Sequence, residues 1–182
     1  SSAASDVYKR QLPKSQRITT NRTMIKRTFH ERGIEYASEL ALQNLRDLHT
    51  ILEWNLENDI YFYRLSSDII PWASEYNLID MPNFGAIHAA ALKAGNFARK
   101  HGMRLTSHPG PFNKLASPKE RVFQLTKTDL SVHGDLFDLI GLPRTPYAKL
   151  NIHVGAASAT SHLLWTISVA ILSVCRKMFV RD

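Results

Sequence analysis

Met103-Arg104-Leu105-Thr106-Ser107-His108-Pro109-Gly110-Pro111-Phe112 is the stretch on which the reading of this chain turns. Apolar residues alternate from Met103, the run ends in a histidine, and Pro109-Gly110 then turns the backbone. That puts an imidazole at the carboxyl end of a strand, where parallel α/β folds build their active sites. The pattern recurs 45 residues later in Leu150-Asn151-Ile152-His153-Val154-Gly155. A lone histidine in such a place is usually a satisfied core residue. Two at matching strand ends suggest a shared metal site, because imidazole is the commonest metal ligand.

Outward from that strand the chain alternates helix and strand. Ala37, Leu40, Ala41, Leu45, Leu48 and Leu52 lie on one helical face, broken at Asn58-Asp59. Ile60-Tyr61-Phe62-Tyr63-Arg64-Leu65 reads as a buried strand. Ile87, Ala91, Ala94 and Ala98 mark a second helix, ended by His101-Gly102. Ser117 as N-cap and Pro118 at the first helical position open a third, with Glu120 in its first turn. That helix carries Val122, Leu125, Val132, Leu136 and Leu139 and stops at Gly141-Leu142-Pro143. Residues 149–154 form the last strand. The order α-β-α-β-α-β predicts a parallel sheet with crossover helices over 36–154. Three strands are too few for a closed eight-stranded barrel, which takes about 250 residues, and a doubly wound sheet is the alternative. No Gly-rich phosphate loop follows any strand, which weakens the nucleotide-binding version of that alternative.

The bulk numbers bound the function classes. With 44% hydrophobic and 21% charged residues over 182 positions, this is ordinary globular protein. A net charge of +7 favours a polyanionic partner. The single cysteine, Cys175, excludes an internal disulfide and a cysteine-rich zinc site. Neither a Gly-x-Ser-x-Gly elbow nor a His-Glu-x-x-His helix occurs, so hydrolysis by those routes has no support. The other histidines, His30, His49, His88, His101 and His133, show no partner pattern.

Both ends read as foreign. Residues 1–11 match the translation of a sequencing adapter and are set aside as an artefact. From Ala157 the chain turns abruptly apolar, and residues 161–175 are too short and too interrupted by Ser and Thr for a membrane span of about 18–20 residues. Codons read one base earlier turn this tail polar: Trp165 before Thr166 forces Asp, and Met178 before Phe179 forces Val. Permitted codon choices then begin Phe-Gly-Asp-Lys-Pro-Pro and continue as a charged helix. Residues 157–182 are therefore expected to be a frameshifted tail.

The combination of Thr19-Thr20-Asn21-Arg22-Thr23, Phe62-Tyr63-Arg64-Leu65-Ser66-Ser67-Asp68-Ile69-Ile70-Pro71, Ser107-His108-Pro109-Gly110 and Ile152-His153-Val154-Gly155 resembles the UV damage endonuclease family over residues 17–156. The Gly-Asp-Lys-Pro of the shifted frame continues the family pattern. The resemblance implies that residues 12–156 are a partial TIM (β/α)8 barrel of the endonuclease IV-like type. It implies an enzyme that nicks damaged double-stranded DNA 5′ to UV photoproducts with a cluster of divalent metal ions, typically manganese. His108 and His153 match catalytic and metal-ligand positions. Glu75 stands where the family often has histidine, and its oxygen suits Mn²⁺. Asn21, Arg22, Arg64, Ser66, Ser67 and Phe112 are the implied DNA contacts. The family usually has glutamine after His-Pro-Gly; Pro111 replaces it here, which leaves Phe112 alone to stack at the lesion.

The first barrel strand and the later metal ligands have no counterpart, so the chain is expected to be a fragment, inactive by itself. The full-length protein is expected to be a monomer with no membrane association. The alternatives are another xylose isomerase-like or apurinic endonuclease barrel, or a non-catalytic membrane-tethered interaction protein acting through the apolar tail.

Overall fold

The computed structural model describes residues 18–110, 113–115, 117–145 and 147–152. Phe112, His153 and the two segments read as foreign, 1–11 and 157–182, lie outside them. Helix α1 (Lys26–Glu57) precedes strand β1 (Phe62–Leu65). A 3-10 turn (Leu78–Asp80) and α2 (Phe84–Lys100) follow, then β2 (Arg104–Ser107), α3 (Glu120–Ile140) and β3 (Lys149–Leu150).

Each helix passes to its strand through the same backbone device. At the end of α2 the Met103 amide donates to Ala98 O at 2.8 Å and the Gly102 amide to Arg99 O at 3.3 Å. At the end of α3 the Leu142 amide donates to Phe137 O and the Gly141 amide to Asp138 O, both at 2.9 Å. This double bond satisfies carbonyls that a helix end otherwise leaves open, and it requires a left-handed residue. Gly102 and Gly141 supply it at φ 64° and 70°. After α1 the same pair of bonds forms around Asp59, at φ 57°. The breaks read from Asn58-Asp59, Gly102 and Gly141 are thus helix stops with a common geometry.

Two boundaries differ from the sequence expectation. Helix α3 begins at Glu120, with Lys119 rather than Ser117 in the capping position. The Ser117 hydroxyl accepts the Lys119 amide at 3.2 Å in a turn before the helix, which delays its start. Helix α1 reaches back to Lys26 across a break at Gly33, where φ is 65° and ψ −160°.

The three strands are parallel and in chain order, β1-β2-β3. Tyr63 pairs with Leu105, Leu65 with Ser107, and Ser107 with Leu150. These residues share the face that packs on the helices, in a core with Leu45, Leu48, Leu52, Ile87, Ala91, Ala94, Ala98 and Ile140. Phe62, Arg64, Arg104, Thr106 and Lys149 occupy the opposite face by strand alternation. Sequential parallel strands with the helix-packed core on one face are the arrangement of a partial TIM-barrel-like α/β fold. On α3 the buried face is Thr126, Leu130, His133, Phe137 and Ile140, whereas Leu125 is 61% exposed. Among the described residues no helix is long and apolar enough to cross a membrane.

Candidate active site at the strand ends

Strand β2 delivers His108 from a buried run. Leu105, Thr106 and Ser107 are each at most 2% exposed, and His108 is half-buried. What fixes this strand end lies on α3. Ser107 Oγ is 3.1 Å from His133 Nδ1, and His133 is 2% exposed. Asp129 Oδ2 faces His133 Nε2 at 3.7 Å and accepts Asn113 Nδ2 at 2.5 Å. One turn earlier, Thr126 Oγ1 accepts the Lys114 amide at 3.1 Å. Three side chains of α3 therefore fasten both the strand end and the loop behind His108. Burial pushes the His133 pKa below its ordinary value, while the carboxylates of Asp129 and Asp68 pull the other way. Neutral imidazole is the form this pocket favours, and the carboxylate beside Nε2 favours a proton there, which leaves Nδ1 to accept from Ser107.

Strand β1 ends in a tight turn. The Ser66 carbonyl accepts the Ile69 amide and the Ser66 hydroxyl accepts the Asp68 amide, both at 3.4 Å. Asp68 is thus held in a turn and caps no helix. Ile69 and Ile70 plunge into the core, while Arg64, Ser67 and Asp68 are exposed and Ser66 is half-buried. Among the described residues Arg64 makes no ion pair, so its guanidinium is available.

Residues 19–23 are held beside this turn by two polar groups of α1. Buried Asn44 accepts the Arg22 amide at 3.1 Å and donates to Arg22 O at 2.9 Å and Ile69 O at 3.0 Å. Asp47 accepts the Thr19 amide at 2.9 Å and pairs with Arg22 Nη1 at 2.6 Å. Thr20 Oγ1 meets Tyr63 OH at 2.8 Å, tying the segment to β1. The Arg22 guanidinium is therefore committed to Asp47 and to Thr19 O, whereas Asn21 is exposed and its Oδ1 accepts the Thr19 hydroxyl.

Glu75 sits elsewhere. It lines a groove of about 850 Å³ walled by Tyr76, Phe84, His88, Val132 and Asp135, and His108 is not among the lining residues. Its amide donates to Trp72 O at 2.9 Å. Burial raises the Tyr76 phenol well above its ordinary range, and that hydroxyl donates to Pro71 O at 2.5 Å. Among the described residues no group of three or more His, Cys, Asp or Glu side chains could hold a metal ion.

The structure thus gathers residues 19–22, Ser66–Asp68 and His108 at the carboxyl edge of the sheet and leaves Glu75 in a separate groove. The α3 group of His133, Asp129 and Thr126, and Asn44 and Asp47 on α1, were not among the sequence candidates. The 4-3-4-3 spacing of Thr126, Leu130, His133, Phe137 and Ile140 was the available signal for His133.

Comparisons with known proteins agree with this geometry. The UV-endonuclease UvdE family matches residues 4–163. A UV-damage endonuclease of Schizosaccharomyces pombe is 34% identical over 142 residues, covering 77% of this chain and 23% of that protein. A putative UV-damage endonuclease of Acanthamoeba polyphaga mimivirus is 34% identical over 139 residues, covering 76% of this chain and 42% of that protein. The crystal structure of SacUVDE superposes with a TM-score of 0.74 at 26% identity, over 87% of this chain and 54% of that one. The chain thus spans about a quarter to about half of the length of these relatives. Strand-end histidine, Ser-Ser-Asp turn and sequential parallel sheet lie inside the matched region, and the chain belongs to the UV-endonuclease UvdE family.

Proposed function

We propose that this chain is part of a metal-dependent endonuclease that nicks double-stranded DNA 5′ to UV photoproducts. The observation that carries the reading is the convergence of His108, the Ser66–Asp68 turn and residues 19–22 on one edge of a parallel sheet, in a chain of this family. His108 and His153 are the proposed catalytic metal ligands; Glu75, in the groove walled by Tyr76, Val132 and Asp135, is not assigned to that ion. The described residues alone form no such group. The pairing of Thr106 with Lys149 and the bond from the Asn151 amide to Ser107 O at 2.9 Å support the histidine pair, because they bring Asn151, two positions before His153 in the sequence, beside the strand end that carries His108. A bound divalent ion, manganese in this proposal, supplies Lewis-acid stabilisation of charge on phosphodiester oxygens.

The chain's own groups bind and orient. Arg64 offers a charge to the phosphate backbone, and Asn21, Ser66 and Ser67 offer hydrogen bonds. Arg22 acts by shaping residues 19–23 through Asp47, and Phe112 is the proposed stacking residue at the lesion. His133 and Asp129 hold the His108 loop in place.

Two measurements test this. Titration of the chain with Mn²⁺, followed by electron paramagnetic resonance, should show binding that weakens at least tenfold in His108→Ala and in His153→Ala. Because the chain spans only part of its relatives, incision is read on a chimera carrying residues 18–152 in place of the matching segment of the Schizosaccharomyces pombe enzyme. The chimera should nick UV-irradiated duplex, and His108→Ala in it should abolish the nick. Undiminished incision by that variant would remove His108 from the chemistry.

A further inference from the structure

Strand alternation lines up Arg64, Thr106 and Lys149 as direct register partners across the three strands, on the face turned away from the helices. Their neighbours in sequence confirm the facing: Tyr63, Leu65 and Leu105 are in the helix-packed core, and Leu150 packs against it. The two outer members are cations and both are exposed. Neither forms an ion pair among the described residues. The central member is the opposite case. Thr106 is 2% exposed, and its Oγ1 has no hydrogen-bond partner among the described residues. A buried hydroxyl without a partner carries a desolvation cost that native structures rarely leave uncompensated. The backbones of Arg64 and Lys149 flank that of Thr106, each one strand spacing away, about 4.8 Å.

From this row we infer an oxyanion subsite, with phosphate as the ligand. The Arg64 guanidinium presents a planar fork of donors, Lys149 a compact ammonium, and Thr106 a hydroxyl donor between them. Three donors offered by register partners on three strands suit a tetrahedral group with several acceptor oxygens better than a chloride ion, which offers no separate acceptors to share among them. Arg104, on the same face one step towards the strand starts, does not compete, because its Nε donates to Tyr147 O at 2.9 Å and its guanidinium lies over the Tyr147 ring. The row sits one alternation step below Ser66, His108 and Asn151. A phosphate there lies directly beneath the strand-end site. Assigning that phosphate to the nucleic-acid backbone, rather than to free phosphate, rests on the proposed function; the subsite itself does not.

The test is a titration of the full chain with inorganic phosphate at low ionic strength, read by chemical-shift changes of the Thr106 methyl and the Arg64 Nε–H. Sodium chloride at matched ionic strength is the control. Saturable shifts are expected with phosphate and not with chloride. Arg64→Met and Lys149→Met should each weaken binding roughly tenfold, and Thr106→Val, which keeps the shape, roughly threefold to tenfold. Without phosphate, Thr106→Val should melt at or above the temperature of the parent, because it removes an unpartnered buried hydroxyl. Chloride shifts equal to those of phosphate, or undiminished phosphate binding in both methionine variants, would overturn the subsite. A duplex oligonucleotide separates the sources. Displacement of phosphate by the duplex supports the backbone assignment. Phosphate binding that the duplex leaves untouched upholds the subsite as one for free phosphate and counts against the backbone assignment.

Discussion

Replacing Gly95 with alanine isolates the contact that sets the spacing of α2 and α3. Gly95 lies in the middle of α2, where alanine would normally improve a helix by about 1 kcal/mol. Here an added Cβ would stand 2.8 Å from Ile140 Cγ2 and 2.9 Å from the Ile140 carbonyl carbon, and closer still to its carbonyl oxygen. Carbon atoms rest at roughly 3.5–4.0 Å, so the Cγ2 contact alone asks for about 0.7 Å of separation, and the closer carbonyl oxygen asks for more. No rotamer change absorbs that, because two of the three nearest atoms are backbone. The same oxygen receives Arg99 Nη1 at 3.4 Å, and it lies in the turn that ends α3. Overpacking of this kind costs about 1–3 kcal/mol, and a backbone clash belongs at or above the top of that range. Subtracting the helix gain leaves a net loss of about 2 kcal/mol. Urea unfolding followed by far-ultraviolet circular dichroism reads it as a lower midpoint with an unchanged slope. Gly85→Ala is the matched control. It lies in the first turn of α2 with nothing within 4 Å of the added Cβ, and should be neutral or stabilising. If Gly95→Ala were stabilised by the same amount as Gly85→Ala, the close approach of the two helices would be refuted.

Asp59→Gly should raise the urea midpoint by the equivalent of roughly 0.5–1 kcal/mol, because it relieves a left-handed backbone at φ 57°; an unchanged midpoint would remove strain from that turn. Asn44→Ala should cost roughly 2–4 kcal/mol in the same assay, because it strips partners from the Arg22 amide and from the carbonyls of Arg22 and Ile69 at once. Amide exchange should also speed up across 19–23 and 66–70 in that variant, and unchanged exchange there would show that Asn44 does not join the two segments. The His133 pKa is lowered in the folded chain, so the folded state takes up its proton less readily than the unfolded one. That contribution to stability is complete above the ordinary value of 6.5 and is lost as the pH falls from there through the folded pKa. In His133→Gln the acid-side decline should be shallower, and an identical pH profile would place the titration elsewhere.

Much of the fold was legible because it depends on local chemistry. Gly102, Gly141 and Asn58-Asp59 end helices where the sequence said they would, since left-handed backbone is a property of single residues. The alternation of Tyr63, Leu65 and Leu105 with Arg64 and Thr106 sets which face of the sheet meets the helices. The start of α3 was misplaced because Ser117 has two local uses for its hydroxyl, and only the geometry selects one.

The candidate site divides in the same way. His108 at a strand end and the Ser66–Asp68 turn follow from local pattern and motif. The roles of Arg22 and Glu75 do not. Whether a guanidinium faces a ligand or Asp47, 25 positions on, is settled by how α1 packs. Glu75 lines the groove toward α3 because the loop after β1 passes over that helix. His133 shows no partner pattern in the sequence, and becomes the buried anchor of Ser107 only because α3 turns that face inward. The sequence by itself determined the element order, the helix stops and the strand faces, because dihedral preference and periodicity act over a few residues. Tertiary structure alone decided which polar groups are used up in holding the fold and which remain for a ligand, because long-range packing brings their partners together.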